Sequence, residues 1–321
     1  MRRFRNTNEF GPTVEAAAER LGISATAVEK DYWVSDVLRV LARDFGGDFI
    51  FKGGTSLSKA YRIVERFSED VDVLVLAGDR GLGSTDKLMK AMGAAAAAGI
   101  GGAATSVGGS ETGRHRSYEV AYPSTREPTA LIQTSVLLEM GVRGGRHPDE
   151  SVAVSCLLGD VLAAEGTDLS HFDDLAPFEV VVLHPGRTLL EKLVHVHAAA
   201  QRLAADPSRQ PDPRSGRHFY DIFQLLGDDR VLELLADRDR VGQVIASIED
   251  ITRRYFSGSE DTALRPAGGF ADCPAFDVAA HVSQRFRAAY EATMPELYFG
   301  APPLPGWDAI CARVGERRQL L

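Results

Sequence analysis

Residues 53–75, GGTSLSKAYRIVERFSEDVDVLV, open with paired glycines and hydroxyls and close with two carboxylates one residue apart on an apolar run. With the preceding DFIFK, the stretch reads as strand, glycine turn, helix and strand. Thr55 is a natural N-cap for a helix over TSLSKAYRIVER, and DVDVLVL passes from alternating to apolar. On such a strand Asp70 and Asp72 share one face while Val71 and Val73 turn to the core. Two converging carboxylates repel unless a hard cation shares them, and Mg²⁺ takes one or two carboxylates together with substrate phosphates. A glycine turn entering a helix presents backbone N–H groups to an anion, and Thr55 and Ser56 add hydroxyl donors. Each half also has an ordinary reading, the turn as a tight connection and the acids as a solvated edge-strand pair. Their complementarity favours chemistry, one half gripping phosphates and the other holding the metal that bridges them. The turn has neither the GxxxxGK[ST] spacing of a P-loop nor the GxGxxG of a dinucleotide fold.

Around this stretch, TVEAAAERLGIS and ATAVEKDYWVSDVLRVLARDF read as amphipathic helices, the first ended by Gly22, and STDKLMKAMGAAAAA as another. GIGGAATSVGGSETG, with little apolar bulk, reads as a flexible connector. HRSYEVAYP, TALIQTSVLLEM, SVAVSCLL and PFEVVVLHP are strand candidates, giving a mixed sheet. From Arg187 onward the pattern is helical, through RTLLEKLVHVHAAAQRLA, GRHFYDIFQLLG, RVGQVIASIEDITRRYF and FDVAAHVSQRFRAAYEATM. The expected fold class is α/β (α+β) over residues 1–185, followed by a mostly helical domain over 186–321.

A chain of 321 residues that is 44 % hydrophobic can bury a full core, and its length suits two domains. Its formal charge of −9 argues against a uniformly basic nucleic-acid binder while leaving room for a local basic groove. Cys156, Cys273 and Cys311 are odd in number and far apart, which supports neither a disulfide framework nor a zinc knot; buried thiols are expected. No stretch is long and apolar enough to cross a membrane, and the cytoplasm is the expected location.

The glycine-hydroxyl turn followed by Asp-x-Asp resembles the nucleotidyltransferase superfamily that includes DNA polymerase β. More narrowly, FKGGTSLSKAY, RFSEDVDV, LLEKLVHVH and RHFYDIFQL resemble, in order, the four motifs of the AbiEii-type toxins, which include the mycobacterial MenT group. VEKDYWVSDVLRVL and YFGAPPLPGWDAI are also similar to that family. The resemblance implies a nucleotidyltransferase fold, with Gly53, Gly54, Thr55 and Ser56 at the triphosphate and Asp70 and Asp72 binding Mg²⁺. Lys192 would contact the nucleotide phosphates, and Asp221 would complete the site from the helical domain. Ser68 matches a serine that in relatives can be phosphorylated to silence the enzyme; a phosphate there would repel the triphosphate. Glu139 is the candidate third acid, set by alternation opposite Ile132, Val136 and Leu138, with a solvated strand-end acid as the alternative. The implied activity is transfer of a nucleoside monophosphate from an NTP to an acceptor, the 3′ end of tRNA, by a toxin with a cognate antitoxin.

Other readings stay open on the residues alone. Lys192 beside Glu191 has the look of a surface lysine, and Arg217 with Asp221 that of an i, i+4 surface ion pair. His195 and His197, two apart on a helix, cannot form a helical metal pair. Arg214, Arg217 and His218 form a cationic rim suited to phosphates, and Tyr220 is either packed or a stacking platform for a base. An enzyme labelling a small molecule or a protein, or a noncatalytic nucleotide sensor, would carry the same aspartates.

Overall fold

The structure, a computed structural model, describes residues 2–68, 70–124, 126–128, 132–206, 208–255 and 263–321. The chain forms two compact units, Met1–Arg62 with Phe67–Leu183 and Ile63–Arg66 with His184–Leu321. The division falls after Leu183 and assigns residues 63–66, which the sequence placed in the first domain, to the second.

The first unit is built on a mixed sheet. Its strands are β1 (Phe49–Lys52), β2 (Asp70–Val75), β3 (Ala104–Glu111), β4 (His115–Ala121), β5 (Ser135–Gly141), β6 (Asp149–Val154) and β7 (Phe178–Leu183), in the order β3-β4-β5-β2-β1-β7-β6. β1 runs antiparallel to β2 and parallel to β7, and β2 runs parallel to β5. Strand alternation gives the sheet two unlike faces. One carries Phe51, Val73, Met140 and Val182, neighbours in register and all buried. Helices α2 (Ala25–Phe45) and α4 (Leu82–Ile100) cover that side, with α2 against β2, β5 and β7 and α4 against β3 and β4, and α1 (Phe10–Leu21) packs on α2. The close approach of α4 depends on its small residues. A Cβ on Gly93 would stand 2.7 Å from the Tyr118 ring, and one on Gly99 2.4 Å from Val40 of α2. On the opposite face, Ile50, Leu74 and Leu183 form a small apolar cluster, beyond which the residues become charged.

Local signals set several boundaries. Gly22 ends α1 in the left-handed region at φ 67°, and Ser24 caps α2 by accepting from the Ala27 N–H at 3.2 Å. Helix α3 (Gly53–Lys59) follows β1 without a side-chain cap, so the expectation that Thr55 caps it is corrected. The helix also stops at Lys59, short of residue 66; the chain turns at Arg62, whose φ is 56°. The expected connector over residues 99–113 is instead the end of α4 and edge strand β3. β3 is hydrogen-bonded to β4 and its side chains are mostly exposed, so it needs no apolar alternation. SVAVSCLL splits between β6 and helix α5 (Leu157–Ala164), where Cys156 caps the helix by accepting from the Gly159 N–H at 3.3 Å. Residues 129–131 of the expected strand TALIQTSVLLEM, and Phe256 at the end of RVGQVIASIEDITRRYF, lie outside the described residues. All three cysteines are free and buried.

The second unit is helical, with α6 (Pro185–Ala205), α7 (Gly216–Leu225), α8 (Asp229–Ala236), α9 (Arg238–Tyr255), α10 (His281–Leu297) and α11 (Trp307–Glu316). Helix α7 packs against α6, α10 and α11, and Phe219 on it sits 5.0 Å from the Phe286 ring and 4.7 Å from the Trp307 ring. Residues 63–66 are stitched into this unit. The Glu65 N–H donates to Tyr220 Oη at 3.1 Å, the Phe299 N–H donates to the Glu65 carbonyl at 3.1 Å, and Arg66 bridges Tyr298. Among the described residues no helix is long and apolar enough to cross a membrane.

Candidate active site

The charged end of the open sheet face is assembled by register. Antiparallel pairing sets Lys52 opposite Asp72, and parallel pairing sets Asp72 beside Glu139 and Asp70 beside Leu137. Directly paired residues project to the same side, so Lys52, Asp72 and Glu139 share a face, joined by Asp70 two residues along β2. All four are half-buried, whereas Val71 and Leu138 on the other face are fully buried.

The glycine turn abuts this cluster directly. Gly53 sits at φ 81°, and a Cβ there would fall 2.2 Å from Asp72 Oδ2. Glycine is thus required twice, for the backbone conformation and for the room it leaves to the carboxylate. The far end of α3 is anchored. Lys59 Nζ donates to Asp31 Oδ1 at 2.5 Å and to Ser35 Oγ at 2.7 Å, both on α2, while Asp31 Oδ2 accepts from the Leu157 N–H at 2.7 Å. Thr55 and Ser56 are fully buried. Thr55 Oγ1 donates to the Asp70 carbonyl at 2.5 Å and lies 2.8 Å from Ser68 Oγ; Ser56 Oγ donates to the Gly53 carbonyl at 2.9 Å. The Thr55 hydroxyl therefore ties the turn to β2, and the Ser56 hydroxyl braces the turn from within. Ser68 is half-buried.

Burial, then the neighbouring Asp72 carboxylate and its hydrogen bond, and then Asp70, push the Glu139 carboxyl up to about 7, with Lys52 pulling the other way. Carboxylates in contact hold a proton between them unless another cation replaces it. The donors are hard carboxylate oxygens, the ligand type that Mg²⁺ takes. Among the described residues no group of three or more His, Cys, Asp or Glu side chains is placed to hold a metal ion. Mg²⁺ takes one or two carboxylates and fills the rest of its shell with waters and substrate phosphates, so the pair Asp70 and Asp72 is the candidate.

A dependence on pH follows. Because the Glu139 carboxyl rises from an ordinary 4.5 to about 7 on folding, the native state holds a proton there that the unfolded chain releases. Its stabilising contribution is complete below about 4.5 and is lost as the pH climbs through about 7. In a chelator, the unfolding midpoint of wild type is expected to fall from pH 5 to pH 8 more steeply than that of Glu139→Gln. Added Mg²⁺ should raise it more at pH 8 than at pH 5. Scanning fluorimetry at matched ionic strength reads both slopes; parallel curves for the two proteins would refute the cluster's electrostatics.

Lys192 and Asp221 lie in the helical unit. Leu189, Leu190, Leu193 and Val196 bury the core stripe of α6, and Lys192, in place of a surface lysine, is itself 9 % exposed. Its Nζ donates to Asp221 Oδ2 at 2.9 Å. Asp221 is fully buried and grips Arg66 in bidentate fashion, with Nε to Oδ1 and Nη2 to Oδ2 both at 2.7 Å. Burial pushes its carboxyl up, but Arg66 and Lys192 prevail and hold it well below the usual range. The surface pair expected from Arg217 and Asp221 is thus corrected: Asp221 closes an interior triad. Tyr220 is fully buried, its hydroxyl accepting from Gln224 at 2.9 Å, so a role in stacking on a base is excluded. His195 and His218 pack ring to ring at 4.8 Å, and burial lowers both below the ordinary histidine value. His197 is buried in the helix packing.

Two residues escaped the sequence reading. Lys52 had a local signal, since alternation from Ile50 puts it on the face of Asp72. Arg66 had none, because its partner lies far along the chain.

The chain matches the family described as nucleotidyl transferase AbiEii toxin, type IV toxin–antitoxin system, over residues 38–313. Among solved structures it is similar to MenT4, a nucleotidyltransferase toxin from Mycobacterium tuberculosis, at 18 % identity and a TM-score of 0.40, covering 94 % of this chain and 98 % of that one. No curated protein matches it.

Proposed function

Because the chain belongs to the AbiEii family of nucleotidyltransferase toxins, we propose that the open sheet face is its catalytic centre, where an NTP donates its nucleoside monophosphate to an acceptor hydroxyl and releases pyrophosphate. The observation that carries this reading is the contact of the glycine turn with Asp72, which sets phosphate-facing backbone against clustered carboxylates. Asp70 and Asp72 would hold Mg²⁺, which when bound supplies charge neutralisation of the phosphates and lowers the pKa of the acceptor hydroxyl. Gly53 and Gly54 offer N–H groups to the triphosphate, while Thr55 and Ser56 keep the turn rigid. Asp72 accepts hydrogen bonds or a metal, and Glu139 takes up or gives back the proton that balances its charge. Lys192, a cation fixed by Asp221, contributes to nucleotide phosphates in this reading. The acceptor we propose is the 3′ end of tRNA, the partner a cognate antitoxin, and the consequence a block of translation. The sequence resemblance to the MenT group supports this assignment, as do the basic residues Arg202, Arg214 and Arg217 of the helical unit.

Purified protein incubated with each α-labelled NTP, Mg²⁺, and total RNA, polypeptide or small-molecule extract tests the reading. Label is expected on small RNA and is expected to drop sharply with Lys192→Ala. Label on polypeptide or small molecules alone would replace the acceptor, and no label with any acceptor would remove the enzymatic reading. Gly53→Ala is expected to lower transfer by about 10²-fold, because its methyl group would displace the Asp72 carboxylate by an ångström or more. Wild-type rates for this variant would show that the contact has no catalytic weight.

A further inference from the structure

The acidic face carries a cation with no partner among the described residues. Lys52 ends β1 opposite Asp72, so its stem leaves the sheet beside the three carboxylates, and its charge is felt at Glu139. Even so, Lys52 Nζ makes no hydrogen bond or ion pair among the described residues. Other amines of this unit are consumed by the fold. Lys59 is held by Asp31 and Ser35, and Lys30 by the carbonyls of Gln133 and Ser135. Lys90, though exposed, pairs with Asp86 at 2.9 Å, and Lys87 is exposed where water serves it. Lys52 differs in being half-buried, next in sequence to the turn glycine and within reach of an acid cluster onto which it does not close. An ammonium kept open in that position suits an incoming anion bearing more charge than a single carboxylate.

We infer that Lys52 is a catalytic residue that binds the triphosphate chain of the nucleotide. The inference rests on the proposed function and adds to it a residue to which the resemblance gives no role. In the transfer, the acceptor hydroxyl gives its proton to water and its oxygen bonds to the α-phosphorus, while the bond from that phosphorus to the bridging oxygen breaks, its electron pair leaving with pyrophosphate. Negative charge grows on the departing phosphates, and the Lys52 ammonium offsets it. The strand tethers the ammonium at the same end of the sheet as Asp70 and Asp72, so that it stands beside the carboxylates that would otherwise repel an incoming polyanion.

Lys52→Met keeps the length of the side chain and removes its charge, and Lys52→Arg restores the charge. In the full-length protein, Lys52→Met is expected to lower kcat/KM by about 10²–10³-fold, with Lys52→Arg recovering at least a tenfold part of the loss. Titration with a non-hydrolysable NTP analogue and with the corresponding monophosphate, both in Mn²⁺, separates the roles. The advantage of triphosphate over monophosphate should shrink at least tenfold in Lys52→Met, while affinity for Mn²⁺ alone and the unfolding midpoint hold. Equal loss for both nucleotides, or loss of Mn²⁺ binding in parallel, would mean that Lys52 only steadies the acids and would overturn the inference. Wild-type protein that binds the triphosphate but transfers nothing would count against the proposed function, and the triphosphate titration would still decide Lys52.

Discussion

Asp72→Asn is expected to reduce nucleotidyl transfer by a factor on the order of 10³ while leaving the protein as stable as wild type, or more so, at pH 8. The loss follows from removing a charged oxygen donor where phosphate charge must be neutralised, an effect of several kcal/mol on the barrier. The retained stability follows from the same carboxylate's neighbours. Asp72 is the strongest charged partner pushing the Glu139 carboxyl upward, so neutralising it relieves the repulsion that folding has to bear. The variant should also titrate Glu139 nearer its ordinary value. Opposite signs for activity and stability distinguish a catalytic carboxylate from a structural one, since a structural acid would cost both together. Transfer from α-labelled NTP, measured beside the unfolding midpoint of the same preparation, gives both quantities. Activity within tenfold of wild type would remove Asp72 from the chemistry.

The second large effect is on folding. Asp221→Ala leaves Arg66 and Lys192 in the interior without the carboxylate that pairs them. Removing one member of a buried ion pair costs about 3–5 kcal/mol, because the remaining charge stays desolvated. At roughly 2–4 °C per kcal/mol for a chain of this size, the unfolding midpoint should drop by about 6–20 °C. Arg66→Met and Lys192→Met combined with Asp221→Leu, which removes all three charges and fills the space, should recover a large part of the loss. A shift under 2 °C for the single variant would mean that water reaches the triad and that its burial is overstated.

How far the site was legible from sequence follows the range of the interactions that build it. The order of β1, turn, α3 and β2 is visible because each element carries its own period and the glycines punctuate them. The common face of Asp70 and Asp72 follows from strand geometry alone. Alternation set Glu139 apart from Val136 and Leu138, but its pairing with Asp72 came only from the parallel register of β2 and β5. Edge strand β3 was misread because an exposed strand of Ala, Thr, Ser and Gly carries no burial signal; its pairing with β4 is what makes it a strand. The Arg66–Asp221–Lys192 triad joins residues 155 apart, and nothing local marks Arg66 as interior. Thr55 and Ser56 show the converse limit. Their composition suggested ligand donors, yet their hydroxyls are spent on Asp70, Ser68 and Gly53.

The central claim is that the turn and the acids hold a metal-bound nucleotide between them. A crystal of the wild-type protein grown with Mn²⁺ and a non-hydrolysable NTP analogue tests it most directly, through the anomalous scattering of the metal. The account expects a peak at about 2.1 Å from carboxylate oxygens of Asp70 and Asp72, with the triphosphate reaching from it to the backbone of Gly53 and Gly54. Nucleotide bound elsewhere, or bound at the turn with the manganese away from both aspartates, would contradict it.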